Sequence, residues 1–230
     1  LADRCSFAEL LNKIEKIEGI ELIRYMTSHP KDLSDDLIDV VANSSKISRH
    51  FHLPIQSGSN SVLARMNRKY TRERYLDIIR KIKAKIPEAS ITTDLIVGFP
   101  NETEDEFLDT LDIVNQVSYD NAFSFIYSKR RGTPAESFID LIDIATKKER
   151  LKRLNNLLAE HSYKNNLLLQ GREVRVLVEG GSDSKSSILT GRTDTFKTVH
   201  FEGSIDLIGK FVNVEILKIK SWSLEGRIIV

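Results

Sequence analysis

The feature that most limits the fold is a change of rhythm near Gln170. Before it, short apolar runs alternate with helix-patterned segments. After it, brief strand-like runs are punctuated by Gly180, Gly181, Gly191, Gly203, Gly209 and Gly226. Serial strand–helix units build a parallel sheet covered by helices, either open or curled toward a barrel. Several short strands at turn spacing in about sixty residues build a small antiparallel barrel or sandwich. A chain of 230 residues has room for both. The expected architecture is therefore α/β, with domains at 1–170 and 171–230.

The first part divides further. Phe7 to Ile17 puts Leu10, Leu11, Ile14 and Ile17 on one helical face, and Gly19 ends that helix. Ile20–Thr27 reads as a strand, and Ser34 caps a helix with Leu37, Ile38, Val41 and Ala42 inward. His50 to Gln56 is strand-like and runs into the polar turn Gln56-Ser-Gly-Ser-Asn. Helical stretches follow at Ser61–Met66 and Thr71–Ile86, the latter closed by Pro87. Ser90 to Pro100 is a buried β-branched strand, and Ala122–Tyr127 is the next. Thr103 with Glu106, and Thr146 with Glu149, are capping boxes. The helix after Thr146 places Leu151, Leu154, Leu158, His161 and Asn165 along one side, with a less buried C-terminal end. This makes four strand–helix units.

Composition narrows the function classes. No apolar run approaches the ~20 residues of a membrane span, and no basic-then-apolar leader opens the chain. With Leu1 in place of Met, the sequence is expected to begin inside a longer product. One cysteine, Cys5, allows no internal disulfide and cannot hold an iron–sulfur cluster. The five histidines are scattered, so no complete protein-made metal site is expected. Net charge is only +1, but residues 61–90 carry nine basic against three acidic side chains, and residues 147–170 carry six against two. Such concentration is a hint of a polyanion partner, set against the plainer reading of solvated helix faces.

In parallel sheets ligands bind beyond the C-terminal strand ends. Polar groups follow each expected strand: Ser28-His29-Pro30, Gln56-Ser57-Gly58-Ser59, Gly98-Phe99-Pro100-Asn101-Glu102 and Ser128-Lys129-Arg130. A strand that ends in glycine lets backbone approach a planar or phosphate-bearing ligand closely. Hydroxyls and an amide at 56–60 can grip a ribose or a carboxylate, and the cations at 129–131 suit phosphate or carboxylate. Trp222 among serines and lysines, and Arg192-Thr-Asp-Thr-Phe-Lys, fit a small β-barrel that meets RNA through cations and aromatics. Each string alone has a bland alternative: a polar turn, a solvated loop, a core tryptophan.

Taken in order, the strings are far more specific. Thr27-Ser-His-Pro-Lys-Asp-Leu-Ser, His52-Leu-Pro-Ile-Gln-Ser-Gly-Ser-Asn, Val62-Leu-Ala-Arg-Met-Asn-Arg-Lys-Tyr-Thr-Arg, Thr92-Thr-Asp-Leu-Ile-Val-Gly-Phe-Pro-Asn-Glu-Thr, Phe125-Ile-Tyr-Ser-Lys-Arg-Arg-Gly-Thr-Pro-Ala and Lys220-Ser-Trp-Ser-Leu-Glu-Gly occur together. They closely resemble the radical S-adenosylmethionine methylthiotransferases, nearest to the MiaB-type tRNA branch. The resemblance implies a partial (β/α) barrel of the radical SAM type followed by a TRAM domain, a small β-barrel associated with RNA. It implies methylthiolation of C2 of N6-isopentenyladenosine at tRNA position 37, with S-adenosylmethionine and two 4Fe–4S clusters as cofactors. It implies tRNA as partner, a cytoplasmic location and a monomeric whole enzyme.

The resemblance also assigns residues. Ile96, Gly98, Pro100 and Glu102 match the turn beside the cofactor adenine, and Gln56, Ser57 and Asp94 the groups facing its ribose and methionine parts. Arg130 matches an arginine near substrate or cofactor; Arg192, Lys197, Lys220 and Trp222 fall in strings expected to meet tRNA. No catalytic acid or base can be named. The Cys-x-x-x-Cys-x-x-Cys motif of the family is absent, as are the N-terminal domain and the first barrel strands. A chain of this sequence alone is therefore expected to be inactive. Two other readings stay open: the sister enzyme that modifies an aspartate of ribosomal protein S12, and an RNA-binding remnant without catalysis.

Overall fold

A computed structural model describes residues 5–26, 33–181 and 187–229. The Ser28-His29-Pro30 string lies outside the described residues. The helices are α1 (Phe7–Glu15), α2 (Asp35–Asn43), α3 (Asn60–Arg65), α4 (Arg72–Lys85), α5 (Glu104–Val117) and α6 (Ile144–Leu167). The strands are β1 (His50–His52), β2 (Ser90–Val97), β3 (Asn121–Ile126), β4 (Glu173–Gly181), β5 (Ile188–Thr193), β6 (Thr198–Glu202), β7 (Phe211–Ile219) and β8 (Leu224–Ile228).

Strands β1, β2 and β3 form a parallel sheet in that order. Ile91, Leu95 and Val97 of β2 are fully buried in one core with Tyr75, Ile78, Phe107, Ile113 and Val114 from α4 and α5. Ser34 caps α2 by accepting from Leu37 N, and Thr103 with Glu106 closes a complete capping box on α5. The segment expected as a strand at Ile20–Thr27 reduces, among the described residues, to one bridge between Ile23 and Ile47. Two backbone bonds, Ile23 N to Lys46 O and Ser48 N to Ile23 O, hold it there. Helix α1 also ends earlier than expected, with Lys16 as its C-cap.

Helix α6 begins before Thr146. Asp143 is its N-cap and accepts from Thr146 N at 2.9 Å. Its C-terminal end is not less buried, as its apolar pattern implied. Arg150, Leu154, Leu158, Ser162 and Asn166 recur every four residues, and all are buried. Ser162 and Asn166 can be buried because backbone carbonyls satisfy them: the single Ser162 Oγ–H is shared between Asp120 O (2.7 Å) and Ser221 O, and Asn166 Nδ2 donates to Lys220 O (2.9 Å).

The remaining strands close into a barrel in the order β4-β5-β6-β8-β7, with β7 pairing back to β4. Four seams are antiparallel and the β6–β8 seam is parallel, so the barrel is not antiparallel throughout. Val176, Val178, Leu189, Val199, Phe201, Val214, Ile216 and Leu224 fill it. Full closure leaves no open sheet edge. Contacts from Ser48, Asp120, Ser162 and Asn166 to the barrel seat it at the N-terminal edge of the parallel sheet.

Candidate functional site

Two turns cap the C-terminal edge of the sheet. Past Pro54 the β1 path continues beside β2, with Gln56 N donating to Asp94 O (2.9 Å) and Ile96 N to Gln56 O (2.8 Å). Gln56 adopts φ 75° and is buried. Ser57 Oγ lies 3.3 Å from Thr110 Oγ1 and accepts from Ser59 N, while Gly58 N donates to Thr110 Oγ1 at 2.9 Å. A Cβ on Gly58 would sit 2.3 Å from Asp109 O, so only glycine lets the turn press onto α5. Ser57 thus shapes the turn.

The second turn runs from Gly98 to Glu102. Gly98 has φ 69°, and a Cβ there would meet Lys147 Cγ at 2.6 Å. The space left by the missing side chain is filled by the lysine stem of α6, where the sequence suggested a ligand's approach. Gly98 N donates to Glu102 Oε2 (2.8 Å), and Arg150 Nη1 donates to Glu102 O (2.8 Å) and Oε2 (3.1 Å). Glu102 Oε1 is buried without a hydrogen-bond partner. Burial pushes the Glu102 carboxyl above the usual range, opposed by the Gly98 N–H and the Arg150 charge. Pro100 is buried in the same turn, and Phe99 packs edge-on to Tyr127 and Phe138.

The groups with room for a ligand lie on the sheet face away from α4 and α5. Side chains alternate along β2, so Thr92, Asp94 and Ile96 share that face and are half-buried. Their register partners on β3 are Asn121, Phe123 and Phe125, and the two phenylalanines are 58% and 53% exposed. From β1, His50 Nε2 and His52 Nδ1 lie 2.8 and 2.9 Å from Thr92 Oγ1, and His52 Nε2 lies 3.5 Å from Asp94 Oδ1. Burial pushes the His50 imidazole down to about 4. The face combines a carboxylate acceptor, imidazoles and flat apolar rings, a set suited to an O–H or N–H donor attached to a planar ring. Of the residues singled out from sequence, Asp94 and Ile96 are here; His50, His52, Thr92, Phe123 and Phe125 were missed. Their period-two spacing, His50-x-His52 and Phe123-x-Phe125, was the available signal.

On the barrel, the Arg192 guanidinium lies 4.1 Å from the Phe196 ring centre and 3.4 Å from Glu179 Oε2. Lys197 is not presented outward: its Nζ donates to Asp120 Oδ1 (2.5 Å) and Asn166 Oδ1 (2.8 Å), tying barrel to sheet. Lys220 pairs with Glu225 and remains exposed. Trp222 is 47% exposed beside a crevice that Asn121, Asn166 and Ser223 also line. Arg130 is exposed in the loop after β3, where its carbonyl accepts from Thr133 Oγ1 at 2.8 Å. Among the described residues, no three His, Cys, Asp or Glu side chains are grouped to hold a metal ion, and Cys5 is exposed.

Residues 3–114 match the radical SAM superfamily, and residues 168–229 match the TRAM domain. The tRNA-2-methylthio-N(6)-dimethylallyladenosine synthase of Thermoanaerobacter pseudethanolicus is 52% identical over 229 residues, which is 100% of this chain and 49% of that protein. The synthase of Acetivibrio thermocellus is also 52% identical, over 100% of this chain and 48% of that protein. The chain belongs to the radical SAM methylthiotransferase family. It spans about half the length of the curated methylthiotransferases it matches. Among solved structures, coproporphyrinogen III oxidase from Escherichia coli, a radical SAM enzyme, aligns with a TM-score of 0.52 at 21% identity. That alignment covers 62% of this chain and 33% of the oxidase, and it supports the fold alone.

Proposed function

We propose that this chain is the cofactor-facing and RNA-holding part of an enzyme that methylthiolates an N6-dimethylallyl adenine in tRNA. The observation that carries the reading is the 52% identity, over the whole of this chain and 49% of the relative, with a tRNA-2-methylthio-N(6)-dimethylallyladenosine synthase. The chain divides near residue 170, with the sheet region facing cofactor and the barrel facing tRNA.

The open face fits a nucleoside cofactor in its donor set: one carboxylate, half-buried apolar surface and aromatic rings. S-adenosylmethionine, when bound in the whole enzyme, supplies the radical that takes hydrogen and the methyl group that is transferred. In this chain Asp94 accepts a hydroxyl or N–H from the cofactor, and Ile96 packs beside its base. Gln56, Ser57, Gly98, Pro100 and Glu102 hold the two turns that rim this face. Arg130, Arg192, Lys220 and Trp222 meet tRNA, and Lys197 fixes the barrel that carries three of them. The iron–sulfur clusters do not fit the residues present, because one exposed cysteine cannot ligate them. No step through a cluster is assigned to this chain, and alone it is inert toward S-adenosylmethionine. The whole enzyme acts as a monomer in the cytoplasm; no described helix is long and apolar enough to cross a membrane.

Nucleoside mass spectrometry of tRNA from a strain lacking the gene tests the reading. Loss of 2-methylthio-N6-dimethylallyladenosine, with accumulation of its unthiolated precursor, is expected. Unchanged methylthio nucleosides overturn it, and a lost methylthio group on an aspartate of ribosomal protein S12 transfers the assignment to the sister enzyme.

A further inference from the structure

Five side chains run in a line from the barrel to the open face. Phe196 sits in the turn between β5 and β6 in left-handed backbone (φ 66°), which a bulky residue adopts only when its surroundings impose it. Lys197 N donates to Thr193 Oγ1 (3.0 Å) and Phe196 N to Thr193 O (3.1 Å), holding that turn. The Phe196 ring stacks on His50, with centroids 4.7 Å apart and planes 10° from parallel. The guanidinium groups of Arg192 and Arg24 lie 4.1 and 5.3 Å from the same ring. His50 then meets Thr92, Thr92 meets His52, and His52 meets Asp94, at the distances given above.

The line has a direction. A hydroxyl carries one proton, so Thr92 donates to one imidazole and accepts from the other. His52 Nε2 faces the Asp94 carboxylate. With neutral rings, one polarity puts an N–H opposite that carboxylate: His50 Nε2–H donates to Thr92, Thr92 O–H to His52 Nδ1, and His52 Nε2–H points to Asp94. The reverse sets a bare nitrogen lone pair against the carboxylate.

We propose that Phe196 is a positioning residue for the His52–Asp94 pair: by seating His50 it sets the polarity of the Thr92 hydroxyl and so the way Asp94 is presented to a ligand. This rests on the reading of the open face as the cofactor side, and it gives the barrel a task besides holding RNA. The groups facing His50 agree with a neutral ring. Burial is the main influence, with His52, Arg192 and Arg24 acting in the same sense. Asp120 alone favours the charged form, and Lys197 already pairs with it.

Imidazole nitrogen NMR on the full 230-residue chain tests the proposal. In Phe196→Ala the His50 titration midpoint is expected to rise from about 4 by at least one unit. The His52 Nδ1 and Nε2 resonances move as well, although His50 and Thr92 stand between the two rings. Thr92→Val reproduces the His52 change, and Phe196→Tyr, which keeps a flat ring, restores the wild-type spectrum. Should melting by circular dichroism show Phe196→Ala unfolded, Phe196→Leu, which fills space without a flat face, is read in its place. His52 resonances that stay fixed while those of His50 move overturn the proposal, and the ring is then interface packing alone. Titration with S-adenosylhomocysteine, followed at Asp94 and Ile96, scores the cofactor reading separately, so the two can fail independently.

Discussion

Along β2, Ile91, Thr93, Leu95 and Val97 are sealed against the helices, while Thr92, Asp94 and Ile96 look onto the open face beside Phe123 and Phe125. The two faces are built from neighbouring residues and treated in opposite ways. The sealed face satisfies even its polar member: Thr93 Oγ1 donates to Leu53 O at 2.8 Å and accepts from Ile55 N at 3.0 Å. The open face forgoes burial of two aromatic rings, each of which is worth ~1.5–3 kcal/mol when fully covered. A fold that leaves that much uncovered on one side of a strand, and nothing on the other, has kept the packing that holds it together to one face.

The largest expected effect tests that separation. Leu95→Ala should cost about 3 kcal/mol of unfolding free energy, because it opens a cavity in a fully buried site. Ile96→Ala, its neighbour, should cost less than about 1 kcal/mol. Urea denaturation of both variants decides, and equal losses would show that the two faces of β2 are packed alike.

Helix α5, which covers the sealed face, gives a smaller effect with a pH signature. Arg65 donates to both oxygens of Glu106 at 2.8 Å, and Thr103 N donates at 2.9 Å. The Arg65 bond is the main cause that lowers the Glu106 carboxyl from 4.5 to about 2. A depressed folded value means the stabilisation is fully present above about 4.5 and is lost as pH falls toward about 2. Glu106→Gln should therefore cost on the order of 2 kcal/mol at pH 7. The difference should shrink progressively in unfolding curves recorded below pH 4.5.

Phe125, on the open face, gives the smallest effect. Phe125→Ser should cost no more than about 1 kcal/mol, because the ring is already half in solvent. A loss of several kcal/mol would show that this ring belongs to the core.

Sequence patterns reached the parallel sheet because β2 is a compact β-branched run between clear turn signals. They reached the glycine-punctuated barrel for the same local reasons. They failed where pairing or burial depends on distant partners. Ile20–Thr27 has strand composition, yet among the described residues only Ile23 finds a bridging neighbour. Ser162 and Asn166 look like solvent-facing positions until the barrel carbonyls that satisfy them are present. On the open face, Asp94 and Ile96 were singled out because they sit in a recognisable string. Ser57 and Lys197 have the chemistry of ligand groups, but Thr110 and Asp120 occupy them, which no local pattern reveals. His50 and Phe196 are 146 positions apart in the chain and meet only through the docking of the two regions.

Helix α6 touches the Gly98 turn with Lys147 at its start and the barrel with Asn166 near its end. It therefore works as a spar of set length between the rim of the sheet and the barrel. Adding a single residue to its middle would rotate one anchorage against the other by about 100° and lengthen the spar by ~1.5 Å. Changes in the length of that helix should thus be far less tolerated than changes of residue type along its outer side.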